Sequence, residues 1–388
     1  MKTNRPRKIV VVLLVLIAAS CARVDESLIL KPGERPGLDS TEGGLWALME
    51  KEEKATRNSG RRVEDERLNA YIENVVCTLA PGYCADIRVY VLDSPVFNAA
   101  MYPNGMMHVY TGLLLRMQNE AQLAAVLGHE LTHYVKRHSL KRFIDIKNKA
   151  DALTLFSVAI HTVGIPGLDA VAGLGTLASI MAYSRDHERE ADAGGLKLLA
   201  GAGYSPGSAP EIWENLVKEQ KAGDKGNVSL FFATHPSSEE RVENLRRQAG
   251  EIQTPDATRI GEEDFSRAVM PLRAEWFRQE LALRQFAQSE IVLRNLPPSK
   301  THPGELHFMK GEMIRLQGEK DYILRSSEHY QKAIDLDKTD PRPRKAIGLM
   351  LMKTGQTARA REHLETYIRL QPDAEDASVI RGYVMNLR

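Results

Sequence analysis

The sequence predicts an α+β protein that is mostly α. A first domain holds one small β-sheet, and a second is all-helical. Three observations carry that reading. Residues 87–92 alternate as a strand does, and residues 96–110 read as two further strands turned at Pro103-Asn104-Gly105. Most other patterned segments space their apolar residues three and four apart, which is helical. After Gly250 the chain becomes charged and wholly helical, and it begins to repeat itself. A length of 388 residues suits two or three domains.

Composition narrows the class. Lys and Arg total 52 against 51 Asp and Glu. Losing Lys2, Arg5, Arg7 and Lys8 with a leader peptide would leave the chain slightly acidic. Bulk nucleic-acid binding needs a clustered basic surplus, so no nucleic acid is expected as partner. At 43% hydrophobic and 27% charged residues the chain is neither disordered nor polytopic, and it holds no apolar run of 18 residues.

The elements follow in order. Residues 1–20 read as a lipoprotein-type signal peptide: a basic start, then an apolar stretch over 9–19. As a helix that stretch is about 16 Å long, half of what a bilayer core needs. Ala18, Ala19 and Ser20 precede Cys21, an arrangement resembling a lipobox, although Ala18 stands where Leu is usual. Lipidation at Cys21 is expected, the alternative being a plain export signal that ends in Cys. Residues 21–45, with Pro32, Gly33, Pro36, Gly37, Gly43 and Gly44, read as a tether. Residues 46–79 are helical, with a break at Asn58-Ser59-Gly60. Export makes Cys77 and Cys84 a candidate disulfide, because Pro81-Gly82 supplies a turn that brings them together. Residues 118–138 predict one long helix, 143–183 a broken apolar stretch, and 184–200 a polar helix.

The repeat lies near the C-terminus. Ala333-Ile334-Asp335-Leu336 recurs 34 residues on as Tyr367-Ile368-Arg369-Leu370, and Ser326 and Tyr330 recur as Ala360 and Leu364. Gly311 and Gly318 recur at 37 as Gly348 and Gly355. With Leu351 and Pro372, this resembles two degenerate tetratricopeptide repeats over 305–374. Residues 265–388 are therefore expected to be a helical repeat domain.

The chemistry concentrates in His129-Glu130-Leu131-Thr132-His133. Residues four apart on a helix share a face, so both imidazoles can meet one Zn2+ ion while Glu130 reaches a water. Zinc needs a third protein ligand. His138, five residues past His133, points about 140° away on a continuous helix and cannot complete the set. Glu188 and Asp192 share a face of the next polar helix. Glu188 is the expected third ligand, and Asp192 is expected to accept the outer N–H of a ligand histidine. Glu190 lies about 200° from Glu188 and should face elsewhere. Hydrolysis follows from the parts: zinc acidifies a water, Glu130 takes its proton, and a polarised peptide carbonyl is attacked. Met107, His108 and Val109 admit two readings, an edge strand holding extended substrate or plain core packing.

Residues 98–138, Tyr183-Ser184-Arg185 through Asp192, and Thr234-His235-Pro236 resemble the gluzincin peptidases of the CAAX prenyl endopeptidase type. The likeness within them is to BepA-type periplasmic chaperone-proteases with C-terminal tetratricopeptide repeats. That resemblance implies a zinc metallopeptidase domain over 46–250, with His129, His133 and Glu188 as ligands, Glu130 as base and Asp192 behind them. It implies misfolded envelope proteins as substrates, outer-membrane assembly machinery as partner, and a periplasmic location anchored by lipid to the outer membrane. It also places His235 beside the zinc. There it is either a latch on the open position or a donor to the oxyanion, the latch being favoured.

Overall fold

The computed structural model describes residues 29–147, 183–223, 231, 235, 239–252, 254 and 256–387. The signal peptide, Cys21 and most of the broken apolar stretch lie outside the described residues. No helix among the described residues is long and apolar enough to cross a membrane.

The first helix, α1 (Thr41–Arg57), starts five residues before the expected point because Ser40 caps it, accepting from the Gly43 N–H. The described end of the expected tether is not loose. Leu30 is buried, and its N–H donates to the Val135 carbonyl. Helix α2 (Glu66–Leu79) is capped by Asp65 and buries Leu68, Ile72, Val75 and Val76 on one face. A disulfide joins Cys77 to Cys84 across the short 3-10 turn Pro81–Tyr83, as the turn chemistry predicted.

Strands β1 (Arg88–Leu92), β2 (Ala99–Met101) and β3 (Met106–Tyr110) form one sheet in the order β1-β3-β2. β3 pairs parallel with β1 and antiparallel with β2. It is therefore central and fully buried, and both its edges are spent on ladders. Of the two readings for Met107, His108 and Val109, the edge strand is overturned and core packing holds. His108 is enclosed between Thr56 and the Tyr102 hydroxyl. The edge strands are β1 and β2.

Helices α3 (Thr111–Arg116) and α4 (Glu120–Val135) follow, and nearly every residue of α4 is buried. The helix expected over 118–138 is α4, but it ends three residues early. α4 stops at Val135, Arg137 adopts φ 52°, and α5 (His138–Lys147) leaves in a new direction. A side-chain pair, Glu34 and Glu42, holds the Arg137 guanidinium at that corner. Helix α6 (Arg185–Gly201), capped by Ser184, lies against α4. Gly195 lets the two backbones meet, because a Cβ there would sit 2.9 Å from the His129 nitrogen. Helices α7 (Ser208–Ala222) and α8 (Glu239–Glu251) close the layer.

The remaining helices are α9 (Glu262–Ala282), α10 (Phe286–Asn295), α11 (Glu305–Gln317), α12 (Tyr322–Leu336), α13 (Pro341–Lys353), α14 (Thr357–Leu370) and α15 (Ala377–Asn386). α11–α12 and α13–α14 are successive helical hairpins. The repeated glycines have matching jobs in them: a Cβ at Gly311 would strike Tyr330, and one at Gly348 would strike Leu364. Gly318 and Gly355 both end a first helix with positive φ. The main core does not stop at the first domain. Phe265, Trp276, Val292, Met309 and Met313 belong to the same cluster as Leu123 and Leu127.

Candidate metal centre

Four buried side chains converge where α4 faces α6. One ligand atom from each of His129, His133, Glu188 and His235 lies within 4.8 Å of the others. The helical repeat explains the first pair, since residues 129 and 133 stack on one face of α4 with Nε2 atoms 3.0 Å apart. Glu188, on the first turn of α6, brings Oε2 to 3.6 Å from His129 Nε2 and Oε1 to 3.4 Å from His133 Nε2. His235 arrives from a separate segment, with Nδ1 3.0 Å from Glu188 Oε1 and 3.3 Å from His129 Nε2.

Glu130 stands beside this group without joining it. Its Oε1 is buried, has no hydrogen-bond partner among the described residues, and lies 3.5 Å from His235 Nε2. Burial pushes its carboxyl up, against the pull of His235 and His129. A raised carboxyl beside unpaired space suits a group that takes and returns a proton.

Asp192 sits one turn beyond Glu188 and places Oδ1 3.0 Å from His129 Nδ1. A carboxylate only accepts, so His129 carries its proton on Nδ1 and aims a lone pair from Nε2 into the cluster. Arg241 of α8 was invisible to the sequence reading. It holds Asp192 through Nε and Nη2, contacts Glu188 Oε2 at 2.8 Å, and stacks on Trp213 at 4.3 Å. Burial works against ionising Asp192, but the Arg241 charge and the His129 bond outweigh it and hold the carboxyl low. Glu188 is held well below the carboxylate range against its own burial, by His235, His133 and Arg241. Burial, by contrast, drops His133 well below the usual histidine value.

His138 and Glu190 were set aside as ligands, and neither reaches the cluster centre. The corner at Arg137 nonetheless swings His138 back onto His133, Nδ1 to Nδ1 at 2.9 Å. Glu190 faces away from Glu188, as the spacing implied, and its Oε2 meets His138 Nε2 at 3.1 Å. No local periodicity signals this contact, because it depends on the break in the helix.

The donor set fits a divalent cation. Two imidazoles, a low-lying carboxylate and a third imidazole meet in a buried site, and the His129 lone pair is directed at them without a proton between. A cation relieves that crowding of acceptors. The chemistry of two histidines with one carboxylate matches zinc in hydrolytic sites.

Comparison with known proteins agrees with the geometry. The family model described as Peptidase family M48 matches residues 63–249. The chain is 26% identical over 245 residues to a putative beta-barrel assembly-enhancing protease of Vibrio cholerae, covering 60% of this chain and 50% of that one. It is 35% identical over 158 residues to the mitochondrial metalloendopeptidase OMA1 of Arabidopsis thaliana, covering 41% of this chain and 30% of that one. With the beta-barrel assembly-enhancing protease of Escherichia coli the identity is 25% over 207 residues, covering 50% and 42%. The chain thus spans half or less of the length of these relatives.

Proposed function

We propose, taking the M48 match over residues 63–249 as premise, that the chain is a zinc-dependent endopeptidase of the bacterial cell envelope. Its substrates are misfolded or misassembled envelope proteins. The observation that carries the reading is the convergence of His129, His133, Glu188 and His235 on one buried point beside Glu130, whose Oε1 has no hydrogen-bond partner among the described residues. The name of one relative, a beta-barrel assembly-enhancing protease, supports the substrate class, and that of another, a metalloendopeptidase, supports the reaction.

His129, His133 and Glu188 would hold the zinc, and Asp192 fixes the His129 ring. When bound, the ion supplies Lewis acidity to a peptide carbonyl and to water. The remaining steps belong to the chain. Glu130 accepts a proton from the attacking water and passes it to the departing amine. In this reading the edge strand β2, and not the central β3, holds extended substrate. Asn98 and Tyr102 turn their backbone bonds to β3, so the backbone of Ala99 and Met101 faces the outer edge, where extended substrate can add as a strand.

Residues 265–388 serve as tetratricopeptide-type repeats that recruit substrate or outer-membrane assembly partners, and Cys21 carries the lipid that anchors the protein in the periplasm. A groove of about 840 Å³ between α9, α11 and α13, floored by Phe277, Phe308, Met309 and Met350, supports recruitment. The same groove favours the second reading, a largely non-proteolytic chaperone or assembly scaffold. Casein cleavage by the purified chain without its leader separates the two. Stoichiometric zinc, with cleavage that a chelator stops and added zinc restores, is the expected result. A metal-free protein, or cleavage indifferent to chelator, overturns the peptidase reading.

A further inference from the structure

His138 and Glu190 lie outside the proposed ligand set, yet they form one line of hydrogen bonds into it. His138 is fully buried, with its ring stacked on His187 at 4.4 Å. Its Nε2 is 3.1 Å from Glu190 Oε2, and the other oxygen of Glu190 takes Lys136 Nζ at 2.9 Å. At the other end, His138 Nδ1 is 2.9 Å from His133 Nδ1.

Counting protons along this line gives a single arrangement for neutral rings. A carboxylate oxygen accepts only, so the hydrogen of His138 sits on Nε2 and its Nδ1 carries a lone pair. Two ring nitrogens at 2.9 Å need one proton between them, and that proton is then on His133 Nδ1. What remains on His133 Nε2 is a lone pair, on the atom that lies 3.0 Å from His129 Nε2 and 3.4 Å from Glu188 Oε1.

We propose that His138 and Glu190 are positioning residues for the metal centre. Together with Lys136 they fix the tautomer and ring plane of His133, so that Nε2 always faces the ion as a free donor. The proposal rests on the reading of His133 as a zinc ligand. Helix α6 then serves both histidines of α4. Asp192 reaches His129 directly because it shares the face of Glu188. Glu190 is turned some 200° away, and His138 bridges the distance it cannot span. Tyr183, stacked on His133 at 3.8 Å, holds the same ring plane from the other side. The left-handed turn at Arg137 is what brings His138 into line.

The test measures zinc affinity of the purified full chain by competition with a chromophoric chelator, alongside the Tm of the zinc-free protein. His138→Phe removes the acceptor for His133 Nδ1 and should weaken zinc about 10- to 100-fold. His138→Gln keeps a carbonyl acceptor for His133 and an amide donor for Glu190, and it should recover most of that loss. Glu190→Ala leaves the pocket volume intact, stands in if the Phe variant does not fold, and should weaken zinc by roughly tenfold. Equal weakening by Phe and Gln, or wild-type affinity in both His138→Phe and Glu190→Ala, overturns the positioning role alone. A wild-type chain that takes up no zinc overturns the metal reading and this proposal together.

Discussion

Arg241 grips Asp192 by both carboxylate oxygens, Nε to Oδ2 at 2.8 Å and Nη2 to Oδ1 at 2.7 Å, in a setting where neither side chain is more than 8% exposed. The same guanidinium reaches Glu188, so one cation of α8 balances two acids of α6. Removing one partner of a buried ion pair leaves the other charge uncompensated, at a cost of about 3–5 kcal/mol. Arg241→Met should therefore lower the Tm of the zinc-free protein sharply. Zinc replaces part of the missing positive charge, so the rise in Tm on adding zinc should be larger in the variant than in the wild type. An equal rise in both would show that Arg241 does not act on the metal centre.

Glu130 is the clearest case for separating binding from chemistry. It contributes no atom to the converging set, and its Oε1 is left without a hydrogen bond. Glu130→Gln keeps the shape and removes the base. Zinc content should stay stoichiometric while casein cleavage falls by at least about two orders of magnitude. Substantial cleavage by the zinc-loaded variant would sink the hydrolytic mechanism.

How much of this was legible beforehand follows from what local spacing can encode. Residues 129 and 133, and 188 and 192, are each four apart on a helix, so their shared faces can be read from the sequence before any fold is known. The pairing of Glu188 with the histidines then needs only one guess, that the two helices meet. Arg241 is 49 residues from Asp192 and 112 from His129, and nothing periodic links them. His138 stays out of the ligand set, as its spacing implied, but its contact with His133 was not legible, because the chain breaks at Arg137 and the 140° angle holds only on an unbroken helix. The edge-strand reading of Met107 failed because strand order is a tertiary fact. Alternation predicts a strand, and β2 rather than β3 ended on the outside.

The continuous core bears on where the repeats can be cut. Arg273 of α9 and Glu305 of α11 form a pair in which each side chain is 2% exposed, and Met309 and Met313 sit in the main core. Deleting residues 305–388 strands Arg273 and opens that core. Repeats that only recruit partners would let such a deletion spare cleavage of a small unfolded substrate. The packing predicts instead a large fall in Tm and loss of cleavage of every substrate, read by thermal melting and casein assay. A truncated protein with unchanged Tm and casein activity would show that the first domain stands alone.

Glu53 ties α1 to the sheet and should give stability a dependence on acid. Its carboxylate accepts from Arg88 Nε and Nη2 at 2.6 Å, from the Tyr90 hydroxyl at 2.8 Å and from Asn104 Nδ2 at 2.8 Å. Burial works against its ionisation, but the Arg88 and Tyr90 bonds win and its carboxyl lies below the usual value. A group depressed on folding stabilises above its unfolded pKa and loses that contribution as pH falls through the folded one. Glu53→Gln should cost about 2 kcal/mol near neutrality. The gap in Tm between wild type and variant should then close below about pH 4. A gap that stays constant from pH 7 to pH 3 would place the acid sensitivity elsewhere.

His235 is predicted to set whether the centre rests open or closed. Its ring is 3% exposed and stacks on Phe231 at 4.6 Å, with Nδ1 against Glu188 and Nε2 toward Glu130. The Glu188 and Glu130 charges raise its pKa even though burial opposes them. An imidazole there occupies the space between ligand and base where the attacking water must stand. That placement favours a latch, in which substrate has to displace the ring before chemistry begins. If about nine-tenths of the molecules rest latched, His235→Ala should raise basal casein cleavage about tenfold, since the competent fraction sets the apparent rate. If the ring instead donates to the oxyanion, the same variant should lose a factor of about 10² or more with its zinc retained. The two outcomes differ in sign, so one kinetic comparison at equal zinc content is enough. Unchanged kinetics would strip His235 of both roles and leave it as packing against Phe231.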